Sequence, residues 1–213
     1  MKPPVISMCD KSGVMVKPWA EAGFKCFCVD TQHSIRRDRV DGNITYVWGD
    51  VRSWAPPERP GIFFAFTPCT DLAVSGARDF KKKSWPLLRD GMDLFHAAYM
   101  AARWGGFPYM LENSVGRISG IFGEAEHIFD PCDYGDPYTK STCLWTGGGF
   151  VMPSKNHADL LFDSGASTRV VEPGEGSRMH KIGPSAERSN IRSQTPRGFA
   201  QAVFEANHRL IQL

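Results

Sequence analysis

Residues Ile62-Phe63-Phe64-Ala65-Phe66 form an unbroken apolar run with no alternation of polar and apolar positions. A strand with one wet face alternates; one that does not is buried on both faces. Covering both faces takes helices on each side of the sheet, which selects an α/β fold on a mostly parallel sheet. The rest of the chain reads the same way. Val5 to Asp10, Phe24 to Asp30, Ile44 to Trp48 and Tyr109 to Glu112 are further strands, with weaker ones at His127 to Phe129 and Cys143 to Trp145. Helices are predicted from Val16 to Ala22, stopped by Gly23, from Leu87 to Trp104, closed by Gly105-Gly106, and from Arg197 to Leu210 after Pro196. Right-handed crossovers place the C-terminal ends of the parallel strands on one edge, where open α/β sheets bind their ligands.

Composition sets the outer limits. Hydrophobic residues make up 42% and charged residues 23%, which excludes disorder as the main state. No apolar stretch approaches the ~18 residues of a membrane span. Met1-Lys2-Pro3-Pro4-Val5 lacks the apolar core and cleavage site of a secretion signal, so a soluble cytoplasmic protein is expected, with no membrane partner. The six cysteines are too scattered for a disulfide scaffold, and Cys26-x-Cys28 has no second close pair to complete a zinc site. His33, His127 and His157 have no neighbours at ligand spacing, so no metal is predicted. One domain is expected over residues 1–213, with a loop-rich insertion at residues 147–192 that is rich in Gly, Ser, Pro and Arg. A net charge of +2 neither demands nor excludes nucleic acid.

Asp10, Asp30, Asp50, Cys69 and Glu112 all fall at or just past a predicted strand end, so a parallel sheet converges them on one cleft. An acid after the second strand suits ribose hydroxyls of a nucleoside cofactor; the alternative for Asp30 is a helix cap. The turn after the first strand contains Gly13 but no G-x-G-x-x-G, which argues against a dinucleotide. Pro68-Cys69 exposes a thiol directly after the buried strand, and Arg78, Lys81, Lys82, Lys83 and Arg89 follow it. Cations near a thiol favour thiolate and suit phosphates. The competing readings are an inert buried thiol and a solvated basic face.

Pro68-Cys69 followed by Ser75-Gly76 resembles the catalytic loop of DNA cytosine-5 methyltransferases. Leu111-Glu112-Asn113-Ser114-Val115 resembles that family's Glu-Asn-Val motif, and Cys9-Asp10-Lys11-Ser12-Gly13 takes the place of its first cofactor motif. Asp30 and Gly49-Asp50 match its two acidic cofactor positions, and Arg192 to Asn207 lies where its last motif falls. The fuller pattern is similar to small methylase-like proteins of bacteriophages and prophages. The resemblance implies a Rossmann-like class I methyltransferase fold, S-adenosyl-L-methionine as cofactor, and double- or single-stranded DNA as partner. It implies Cys69 and Glu112 as catalytic residues. Cys9, Asp10, Gly13, Asp30, Trp48, Asp50 and Pro68 are then expected at the cofactor. Ser75, Gly76, Arg78, Asn113, Arg117, Lys140 and Thr142 are expected at the substrate.

The chemistry this implies is covalent. C5 of cytosine is a poor nucleophile until a thiolate adds at C6 and makes the ring an enamine. Glu112, with its pKa raised in a dry pocket, would hold the proton at N3. A target in duplex DNA must first be flipped out. The sequence departs from the family in four places: Thr70 replaces the Gln after Pro-Cys, Lys140 and Thr142 stand at the arginine positions of Gln-x-Arg-x-Arg, Asp10-Lys11-Ser12-Gly13 replaces a Phe-x-Gly-x-Gly type of turn, and the insertion replaces a full recognition domain. The alternatives are therefore the same chemistry on a free pyrimidine nucleotide, or a silent binding module. A partner protein or a second copy of the chain would be the other source of specificity.

Overall fold

The computed structural model describes residues 2–73, 84–155 and 193–211. The described residues contribute eight strands to one sheet: β1 (Val5–Met8), β2 (Cys26–Val29), β3 (Arg39–Asp41), β4 (Ile44–Val47), β5 (Ile62–Phe66), β6 (Tyr109–Ser114), β7 (His127–Phe129) and β8 (Thr142–Gly147). Their spatial order is β3-β4-β2-β1-β5-β6-β8-β7. From β4 to β6 every pairing is parallel; β8 runs antiparallel to β6, β7 antiparallel to β8, and β3 antiparallel to β4. This is the Rossmann-like, doubly wound arrangement of the class I methyltransferase fold. The chain leaves β1 in one direction to β2 and later starts β5 on the other side, so the switch point lies between β1 and β5.

Helices α1 (Lys17–Glu21), α2 (Trp85–Gly105), α3 (Ser119–Phe122) and α4 (Arg197–Asn207) cover the sheet. Every residue of β1, β2 and β5 is buried, as the lack of alternation required. Successive side chains point to opposite faces, and two separate cores result. On one face Phe95, Ala98 and Ala102 of α2 recur at helical spacing and meet Ile6, Phe63 and Leu111, with Phe95 5.0 Å from the Trp145 ring. On the other face Trp19 of α1 meets Phe24, Phe64 and Phe204 at ring separations of 5.4, 6.0 and 5.2 Å. Pro86 opens α2, where its missing N–H costs nothing, and Gly106, at φ +61°, closes it.

The structure corrects several boundaries. The β3–β4 hairpin was not expected, although Gly42-Asn43 between β-formers is its signal and Gly42 adopts φ +56°. The hairpin escapes a search for buried runs because β3 is wholly exposed. The terminal helix stops at Asn207 rather than Leu210. Fully buried, Asn207 accepts from Val151 N at 2.8 Å and donates to the carbonyls of Val151 and Val203, which holds α4 to the segment after β8.

The β2 thiols make stability alkali-sensitive. Burial pushes Cys26 from its ordinary 9.0 up to about 12, and Cys28 rises too, through burial and then Asp10. The folded state therefore keeps protons that the unfolded chain loses. This contribution is full below pH ~9 and declines as pH rises towards 12, by up to ~1.4 kcal/mol per pH unit per thiol. The thermal midpoint is expected to fall steadily between pH 9 and 11, and Cys26→Ala to make that fall shallower.

Candidate functional site

The cofactor half of the edge is built around the end of β1. Asp10 is buried and accepts four hydrogen bonds: from Ser7 Oγ at 2.8 Å, Ser12 N at 3.0 Å, Ser12 Oγ at 2.9 Å and Gly13 N at 2.8 Å. Three of these fall on Oδ1 and one on Oδ2, so Asp10 shapes the turn expected at the cofactor. Gly13 sits at φ +70°, and a Cβ there would lie 2.9 Å from the Tyr46 hydroxyl. Cys9 is the one non-glycine among the described residues at positive φ, 54°. Burial pushes its thiol up to about 12, helped by Asp30, Asp50 and Asp10. The three predicted carboxylates therefore do converge on one place. His33, missed by the sequence reading, ties this turn to β4 through ring nitrogens 2.9 Å from the Val47 carbonyl and 3.3 Å from that of Lys11.

Asp30 follows β2 and is buried, which raises its pKa. Its Oδ1 accepts from Gln32 N at 2.7 Å, and among the described residues Oδ2 has no donor. A vicinal diol would supply one. Asp50 follows β4 and is engaged by Arg52, whose hydrogen bonds hold its carboxyl below the ordinary range. Trp48 is 58% exposed, so its ring presents a face to ligand or solvent and not to the core. Pro68 is exposed at the end of β5.

The substrate half lies across the switch point. Phe66 pairs with Glu112 in register, one strand spacing of ~4.8 Å away, and the Cys69 loop starts directly after Phe66. Asn113 clamps that loop. Its amide donates to the carbonyl and to Oγ1 of Thr67, both at 3.1 Å, and it has no exposed surface. Expected at the substrate, it lies inside β6 and holds the start of the loop. A second clamp acts from the far side. The Cys69 carbonyl accepts from Leu72 N and Ala73 N, Arg117 N donates to the Leu72 carbonyl, and Ala73 bridges to Gly116. A Cβ on Gly116 would stand 2.2 Å from the Leu72 oxygen, so only glycine permits this approach. Cys69 itself is half-buried and Arg117 exposed.

Lys140 reaches Glu112, Nζ to Oε1 3.4 Å, with side chains 19% and 13% exposed. Glu112, expected in a dry pocket, is mostly buried and has a cation beside it. Thr142, expected at the substrate, is buried and donates Oγ1 to the Lys140 carbonyl at 2.7 Å, which holds the lysine loop. The pair opens into a pocket floored by Phe66, Phe129 and Phe199 and walled by Thr195. The sequence reading missed Thr195. It is brought there because Asp136 Oδ2 accepts from Gly198 N at 3.0 Å, fixing the start of α4. Ser75, Gly76 and Arg78, with Lys81 to Lys83 and most of the insertion, lie outside the described residues. Among the described residues no cluster of His, Cys, Asp and Glu could hold a metal, and no helix is long and apolar enough to cross a membrane.

No family model matches the chain, and no curated protein matches it. Solved structures of the glycopeptide N-methyltransferase MtfA are similar in part. The MtfA structure shares 14% identity over 61% of this chain and 52% of its own, at a TM-score of 0.32. Its complexes with (S)-adenosyl-L-homocysteine and (S)-adenosyl-L-methionine give TM-scores of 0.34 and 0.31 at 12% and 13% identity. The chain spans about half the length of these structures. The fold assignment rests on the strand order, since a likeness this loose assigns neither substrate nor cofactor.

Proposed function

We propose that the chain transfers a methyl group from S-adenosyl-L-methionine to C5 of cytosine in DNA. The observation that carries this reading is the division of the sheet edge at the switch point: Asp30 and Asp50 on one side, Cys69 and Glu112 on neighbouring strands of the other. The residues of the first side fit the cofactor: Asp30 keeps one oxygen for the ribose, Gly13 keeps the turn free of a side chain, and Trp48 offers an exposed aromatic face. When bound, the cofactor supplies an electrophilic methyl on sulfur.

Cys69 thiolate bonds to C6, and the pair displaced from C5=C6 makes C5 nucleophilic. Glu112 gives a proton to N3 as charge accumulates there, and Lys140 meets the negative charge left on the carboxylate. After C5 takes the methyl, loss of its proton to water expels the Cys69 thiolate, and return of the N3 proton to Glu112 restores the ring. Asn113 and Gly116 act through the loop by fixing where the thiol stands. Gly116→Ala is therefore expected to lower methyl transfer roughly a hundredfold, the cost of a misplacement near 1 Å, and to leave cofactor affinity unchanged by titration calorimetry.

The test is DNA containing 5-fluorocytosine, whose fluorine blocks the final elimination. Incubation with S-adenosyl-L-methionine is expected to give a methylated covalent complex that maps to Cys69 by mass spectrometry. No complex on single- or double-stranded DNA, with cofactor bound, would overturn DNA as substrate; a complex with the free nucleotide alone would move the same chemistry to that substrate.

A further inference from the structure

Asp50 follows β4, and its backbone carbonyl is taken by Ser53 N at 3.0 Å and Trp54 N at 2.8 Å. Among the described residues its carboxylate is held by Arg52 alone. Oδ1 accepts from Arg52 N and from Nε, each at 2.9 Å, and Oδ2 accepts from the guanidinium NH2 group at 2.5 Å. The third guanidinium nitrogen reaches away from the edge, to Asp90 Oδ1 of α2 at 2.6 Å. The guanidinium is thus fixed from two directions, by Asp50 beside it in the chain and by Asp90, 38 residues from Arg52.

A carboxylate has about four lone-pair positions. Arg52 fills both on Oδ1 and one on Oδ2, so one acceptor position remains, in a direction set by the fork. That position takes one N–H donor and rejects an acceptor. The pair is too exposed, at 42% and 23%, to be explained by stability, since exposed ion pairs contribute little. Its effect is geometric: a planar fork sets a carboxylate's orientation, which a lysine ammonium cannot do.

We propose that Arg52 is a positioning residue that aims the one open lone pair of Asp50 at the 6-amino group of the cofactor's purine, and so sets selectivity for adenine over 6-oxopurines. This rests on the reading of the edge as an S-adenosyl-L-methionine site. Without Arg52, Asp50 rotates freely and faces Asp90 uncompensated, and its oxygens are open to water.

The test compares binding of S-adenosyl-L-homocysteine and S-inosyl-L-homocysteine by titration calorimetry to the wild-type chain, Arg52→Ala and Arg52→Lys. The wild type is expected to prefer the adenine compound. Both variants are expected to lose roughly ten- to hundredfold in that preference, the worth of one hydrogen bond to a charged group, mostly through weaker binding of the adenine compound, with the thermal midpoint unmoved. Asp90→Asn, which leaves the fork intact, is expected to lose less. A structural role alone would weaken both ligands equally, and that result, or full selectivity in Arg52→Lys, would overturn the proposal while leaving the cofactor reading intact. Binding of neither ligand by the wild type would overturn the cofactor reading and this proposal with it.

Discussion

Cys69→Ala is expected to abolish methyl transfer, by at least about a thousandfold, and to leave the dissociation constant for S-adenosyl-L-homocysteine within about twofold of wild type. Both halves follow from the sheet order. In the proposed reaction the thiol is the nucleophile, and no other side chain in the described site replaces it: Glu112 is a carboxyl group beside Lys140, and Cys143, opposite Asn113 on β8, is buried with its thiol pushed up by burial. Removing a covalent nucleophile leaves only what positioning supplies. Cofactor binding survives because Asp30 leaves β2, and β1 separates β2 from the strand that carries Cys69. At ~4.8 Å per strand, about 10 Å lies between them. The check is transfer of a labelled methyl group to DNA alongside calorimetry on the same preparation. A variant that kept a tenth of the activity would show that Cys69 is not the nucleophile.

What could be read from the sequence was what burial and strand ends dictate. Ile62 to Phe66 has no polar residue on either face, so the parallel sheet and its two helix layers followed, and the bounds of β5 were met residue for residue. Asp30, Asp50, Cys69 and Glu112 were legible as a set because one rule, that chain reversals in a parallel sheet share an edge, brings them together. What a side chain does once there was not legible. Asp10, Asn113 and Thr142 were expected to touch ligands, and each also makes hydrogen bonds that build its own neighbourhood. Those bonds depend on where Ser7, Thr67 and the Lys140 carbonyl stand in space. The reverse error hid Thr195, which lies far along the chain and joins the pocket only because Asp136 holds the start of α4. Arg52 was overlooked because an arginine two residues after an aspartate is common on surfaces; its meaning comes from Asp90, on a helix.

Glu112→Gln is expected to lower kcat by about a hundredfold to ten-thousandfold, the range for loss of a positioned proton donor, and to leave the 5-fluorocytosine complex slow to form rather than absent. The substitution keeps the shape of the side chain and its place opposite Phe66, so the Cys69 loop is not moved. An amide cannot hand a proton to N3, so charge builds on the ring with no neutralising partner as the thiolate adds. Lys140 makes the case sharper. Its ammonium stands 3.4 Å from the carboxylate, and both side chains are mostly buried. If the lysine works through Glu112, by receiving the charge left when the proton moves, then Lys140→Ala costs activity only while Glu112 is present. The double variant should be about as slow as Glu112→Gln alone, a coupling that a thermodynamic cycle measures directly. Additive losses would instead make Lys140 an independent contact to the substrate, on cytosine O2 or a phosphate. Single-turnover rates of methyl transfer with saturating DNA and cofactor separate the two, because they report the chemical steps and not release of product.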